Sequence, residues 1–94
     1  MISAYDLKIK YQVLQVCKMV NERVLARWEA DLDNEELEQF SDATERDMWK
    51  AADRFATALE EFTDGRIDFA TARKMAIKPQ YSDKLDDLMK RLAA

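Results

Sequence analysis

From Ala4 to about Ala30 nothing in the chain breaks a helix, and apolar and polar positions divide the helical wheel into two halves. At about 100° per residue, Leu7, Ile9, Tyr11, Val13, Leu14, Val16, Cys17, Val20, Val24, Leu25 and Trp28 fall on one half. Lys8, Gln12, Gln15, Lys18, Glu22 and Glu29 gather on the other. Ser3 followed by Asp6 has the form of a capping box at the start. A strand competes over residues 7–13, where Leu, Ile, Tyr and Val alternate with Lys and Gln. Helix is expected there because no other segment offers a partner strand.

Asp31-Leu32-Asp33-Asn34 reads as a turn, with Asp33 as N-cap and Glu36 as its capping-box partner. The second helix then runs from Asn34 to Phe62. Leu37, Phe40, Thr44, Met48, Ala51, Phe55, Ala58 and Phe62 recur at spacings of three and four, a narrow stripe for one packing face. Ser41-Asp42 is the place where this helix is most open to interruption, since both residue types favour caps. Gly65 is expected to end the helix in the left-handed C′ conformation. Asp68 caps a short helix of residues 69–77, which Lys78-Pro79 stops. Ser82 opens a last helix, where Leu85, Leu88, Met89 and Leu92 form a small stripe.

The prediction is an all-α fold. Two long antiparallel helices, about 4–30 and 34–62, precede two short ones, about 69–77 and 83–93, in one compact helical bundle spanning residues 1–94. An arc as wide as that of the first helix touches neighbours on two sides, so that helix is expected at the centre. Two short helices do not suffice to cover it. The leftover apolar surface predicts self-association as a homodimer through Tyr11, Leu14, Val20 and Trp28.

Composition supports this picture. One Gly and one Pro in 94 residues, with 36% charged and 48% hydrophobic side chains, suit amphipathic helices and argue against disorder. No stretch approaches the roughly 20 apolar residues that span a bilayer, so no membrane association is expected. The N-terminus has no basic segment followed by an apolar run. Cys17 has no cysteine to pair with, which fits a reducing compartment, and cytoplasmic residence is the expectation.

Charge changes the picture more. The net charge of −4 is unevenly placed: residues 1–28 carry +3, residues 29–62 carry −9 and residues 63–94 carry +2. On the second helix Glu38, Asp42, Glu45, Asp53 and Glu60 share a face away from the apolar stripe, and Trp49 projects into it. One reading is a solvated helix surface, with Arg46, Lys50 and Arg54 near enough to pair at about 0.3–0.5 kcal/mol each. The other is a docking face for a basic protein partner, or a surface imitating nucleic-acid phosphates. Trp49 either packs beneath the short helices or anchors that partner, since Trp buries much area with few rotors.

Several chemistries drop out. Without His the commonest general base and zinc ligand are missing, and one Cys makes no thiolate cluster. No Gly-rich loop cradles phosphates, and the carboxylates lie on exposed faces without an apolar pocket to raise a pKa. No catalytic, cofactor or metal residues are therefore assigned. Asp64-Gly65-Arg66-Ile67-Asp68-Phe69 is similar to the second half of an EF-hand loop. Counting back from the glycine, however, puts Phe62 at the third position and Thr71 at the twelfth, where oxygen ligands belong. Direct nucleic-acid binding is disfavoured by the negative charge, although Arg73, Lys74 and Lys78 cluster near the proline.

Residues 22–44 resemble the Hha/YmoA family of small helical modulators of nucleoid-associated proteins. The matching features are Glu22-Arg23-Val24-Leu25, Asp31-Leu32, Glu36-Leu37-Glu38, Phe40 and Ala43. They cover about a quarter of the chain, and they fall where that family has a helix, a turn and a second helix. The first 20 residues depart from the family pattern, and residues 63–94 extend beyond it. The resemblance implies binding to a DNA-coating protein through charged residues of the helical pair.

The resulting expectation is a small acidic adaptor or inhibitor, non-catalytic and regulatory. Its partner surface is Trp49 with Glu38, Asp42, Glu45 and Asp53. A structural subunit of a larger assembly, a nucleic-acid mimic and an Hha-like modulator are the alternatives.

Overall fold

The structure, a computed structural model, describes residues 1–93. Among these the elements are α1 (Ala4–Glu29), α2 (Glu35–Phe62), α3 (Phe69–Ile77), a single 3₁₀ turn (Pro79–Tyr81) and α4 (Ser82–Leu92). The two long helices run antiparallel, as shown by contacts of Tyr11 with Phe55 and of Asn21 with Thr44. The period-two alternation in residues 7–13 does not make a strand. The positions that matter there are Leu7, Tyr11 and Leu14, one helical face, and Leu7 and Leu14 are completely buried.

Each helix end shows how the backbone groups are satisfied. Ser3 is extended, and its Oγ accepts from the Asp6 N–H at 3.1 Å. Asn34, and not Asp33, caps α2. Its side-chain oxygen accepts from the Leu37 N–H at 3.1 Å while its amide donates to Asp31 Oδ2 at 3.2 Å. An amide serves both purposes at once, whereas a carboxylate only accepts. Ser41-Asp42 leaves α2 unbroken. Ser41 is buried, and its carbonyl accepts from Thr44 Oγ1 at 3.0 Å and from Asn21 Nδ2 at 3.4 Å. Asn21 also donates to Thr44 Oγ1 at 3.1 Å, so these hydroxyl residues tie α1 to α2 instead of capping.

α2 ends in a Schellman motif, with the Gly65 N–H bonded to Glu60 O at 2.9 Å and the Asp64 N–H to Glu61 O at 3.2 Å. The C′ residue is Asp64, at φ 52°, and Gly65 follows as C″ at φ 79°, one place later than the glycine pattern predicts. Asp68 then caps α3 through Thr71, and Glu60 of α2 accepts the Phe69 N–H at 2.8 Å.

The core contradicts one expectation: α2, not α1, is the central helix. α2 contributes Ala51, Ala52, Phe55, Ala56, Ala58 and Leu59, against Leu7, Leu14 and Val24 from α1. Ala72 and Ala76 of α3, with Leu85 and Met89 of α4, complete the buried cluster. The small residues of α2 admit neighbours on two sides, a second face that a search for large apolar side chains passes over. α1 keeps Ile9, Val13, Val16 and Val20 exposed. Phe40, counted in the α2 stripe, is also exposed at 55%.

The α2–α3 connection holds two consecutive left-handed residues, only one of them a glycine. A Cβ on Gly65 meets nothing within 4 Å, so Gly65→Ala adds backbone strain alone. It is expected to cost about 1 kcal/mol, or roughly 4–8 °C in a thermal melt. Asp64→Gly relieves a non-glycine at positive φ and is expected to leave the melting temperature unchanged or raise it. The opposite order of the two melts would contradict the assigned cap.

Candidate functional site

Trp49 lies on the side of α2 that meets α3 and is half-buried. Arg73 of α3 stacks over its ring, with the guanidinium carbon 4.9 Å from the centroid. The same guanidinium donates from Nε to Asp53 Oδ1 at 2.6 Å. Asp53 follows Trp49 by about one turn, so one arginine reaches both, a charge-assisted bond to the carboxylate and a cation–π contact to the indole. On the other side, Trp49 Nε1–H donates to Glu45 Oε1 at 3.4 Å. The row Glu45-Trp49-Asp53 is therefore a continuous ridge on α2, fastened to α3 at one end.

The ridge separates the predicted partner residues into two groups. Asp53 and one face of Trp49 are engaged inside the chain. Glu38, Asp42 and Glu45 stand exposed, and among the described residues no cation lies within ion-pair distance of any of them. Among the described residues Arg46, Lys50 and Arg54 form no such pair either; the cations in ion pairs there are Arg73, Lys90 and the N-terminal amine. Sequence reasoning missed the role of Arg73, which carries no local signal because its partners lie some 20 positions away in another helix.

The four residues assigned to self-association are also separated. Leu14 is fully buried in the intramolecular core. Tyr11 is half-buried, its ring tilted at 45° against Phe55, and its hydroxyl donates to Asp86 Oδ1 at 3.1 Å. Trp28 is half-buried, and its indole nitrogen is shielded without an acceptor. Only Val20 is exposed, at 38%, and it belongs with Ile9, Val13 and Val16. Their spacing of four, three and four was present in the sequence, but the broad arc concealed it.

The remaining surface holds open grooves, such as that between α3 and α4 lined by Ile67, Lys74, Tyr81, Leu88 and Arg91. Among the described residues no three His, Cys, Asp or Glu side chains are grouped to hold a metal ion, and no helix is long and apolar enough to cross a membrane. Asp68, the last acidic residue of the EF-hand-like stretch, is occupied as a helix cap, and its bonds from Thr71 hold its pKa below the usual value. Asp86 is likewise held low, first by its bond from Lys90 and then by Tyr11.

The Tyr11 phenol is pushed up from 10.0 to about 12, first by burial and then by its bond to the Asp86 carboxylate. A raised pKa means that the folded state retains the proton more tightly. Its stabilisation is complete below pH 10 and is lost as pH rises towards about 12. Tyr11→Phe is expected to flatten the decline in stability across that alkaline window. The phenolate absorbance lost in the variant should titrate well above 10.0, towards about 12. A Tyr11 that ionises at the ordinary value of 10.0 would contradict the buried bond to Asp86.

Compared with models of known protein families, with curated proteins and with solved structures, the chain finds no match in any of the three. The likeness of residues 22–44 to the Hha/YmoA family accordingly carries no further weight.

Proposed function

We propose that the chain is a non-catalytic binding protein, an adaptor or inhibitor, and that it docks a basic protein surface on the N-terminal half of α2. The observation that carries this reading is the exposed row Glu38, Asp42 and Glu45, none of which forms an ion pair among the described residues. Glu38 lies in the first turn of α2, where the helix dipole favours an anion. Asp42 and Glu45 gain nothing from that. Like charges one turn apart cost a helix a few tenths of a kcal/mol, and the α3 cation that reaches this side of α2 engages Asp53 instead.

Trp49 adjoins the row and gives it an aromatic edge. With one face of its ring held by Arg73, the indole is positioned before a partner arrives, which lowers the entropy lost on binding. Charges of this kind act on encounter and on specificity, and their effect weakens with salt.

The test compares the immobilised protein with its Glu38→Gln/Asp42→Asn/Glu45→Gln variant in lysate of the host, at low and high salt. All three sites are exposed, so the fold should be unaffected. A protein retained by the native chain, released by salt and held at least about tenfold more weakly by the variant supports the reading. Displacement of that protein by duplex DNA would assign the row to phosphate mimicry. A retained set indifferent to the three substitutions would remove the acidic row as the docking surface.

A further inference from the structure

α1 carries two apolar seams, and the chain itself uses one. Leu7, Leu14 and Val24 face inward with Cys17 and Asn21 beside them. Ile9, Val13, Val16 and Val20 form the second seam, and they are 40%, 48%, 54% and 38% exposed. Their spacing of four, three and four is the alternation of a coiled-coil heptad. Four β-branched residues on an open helix face have poor helix propensity, a cost that packing would offset. Extending the heptad by three residues each way reaches Asp6 and Arg23, both exposed and neither in an ion pair among the described residues.

We propose that this seam is the contact between two copies of the chain, with α1 of one copy antiparallel to α1 of the other. The two-fold axis passes between Val13 and Val16. Ile9 then faces Val20 of the second copy, Val13 faces Val16, and Asp6 faces Arg23, each pair occurring twice as an isologous contact requires. Charge selects the direction. A parallel pair would oppose Asp6 to Asp6, Arg23 to Arg23 and, one heptad position further, Arg27 to Arg27. The antiparallel pair closes each end with opposite charges.

The occupant is a second copy because the seam is complementary to itself, in its apolar middle and at both charged ends. From Asp6 to Arg23 it rises about 26 Å. At ordinary helix spacing that length buries on the order of 1,000 Å² in total, the low end for a specific interface. The dimer should therefore be reversible and dependent on concentration. It goes beyond the docking reading and uses no residue of the acidic row on α2, so either can fail without the other.

Sedimentation equilibrium over a range of concentrations tests the proposal. The native chain should move from 11.0 kDa towards twice that mass. Val13→Glu and Val16→Glu should each weaken association at least about a hundredfold by burying an unpaired charge. Helical circular dichroism should persist in both, because both positions are exposed in the single chain. Asp6→Lys and Arg23→Glu should each weaken it about tenfold, and the two together should restore it. Direction is read by cross-linking in a Cys17→Ser background. Ile9→Cys and Val20→Cys chains should form a disulfide when mixed and not separately. A chain that stays at 11.0 kDa into the submillimolar range overturns the proposal, as does a dimer indifferent to Val13→Glu. Ile9→Cys linking to itself overturns the antiparallel register.

Discussion

Ala52 and Ala56 lie one turn apart on α2 and are completely buried, as are Ala72 and Ala76 one turn apart on α3. All four belong to the same core cluster as Phe55, Leu7, Leu14 and Leu85. Alanine is the smallest side chain that still favours a helix, so such positions let a neighbour approach closely at no cost in propensity. The large side chains fill the space that remains, with Phe55 at the centre and Tyr11 against it. A chain of this size has one core and few spare contacts. The placement of α3 on one flank of α2 and α1 on another follows from where α2 is narrow.

That constraint explains what was legible in the sequence. The four helices and their bounds follow from periodicity and caps, both local properties. Ser3 and Asp68 cap as their side chains predict. The two displaced caps, Asn34 for Asp33 and Asp64 for Gly65 at C′, are one-residue shifts; Asn34 displaces Asp33 because its amide accepts from Leu37 and donates to Asp31 at once. The central helix was not legible. Ile, Val and Leu on α1 signal burial more strongly than Ala on α2, yet burial is decided by which faces meet. A face built of alanines contributes little to an apolar stripe and much to close packing.

The candidate surfaces divide in the same way. Glu38, Asp42 and Glu45 share a face by helical spacing alone, and the sequence shows it. That Asp53 is withdrawn from the row depends on Arg73, whose position is set by the turn after α2 and the cap of α3. The Glu60 contact to the Phe69 N–H and the Schellman turn fix the start of α3. The side chain four residues later is thereby brought back over Trp49. A long-range pair of this kind is created by connection geometry, and no local pattern records it.

Charge and apolar surface end up on different helices. The cations of the C-terminal part are partly used within the fold, Arg73 on Asp53 and Lys90 on Asp86. The carboxylates Glu38, Asp42 and Glu45 in the first half of α2 form no ion pair among the described residues. α1 has the reverse problem, more apolar surface than its neighbours cover, closed at its two ends by Asp6 and Arg23. These are separate physical demands, one for a counter-charge and one for an apolar face. In the proposed dimer a second copy covers Ile9, Val13, Val16 and Val20 and contributes nothing to the charge on α2. On the docking reading the counter-charge comes from a different molecule, so the two proposals assign the two surfaces to two kinds of partner.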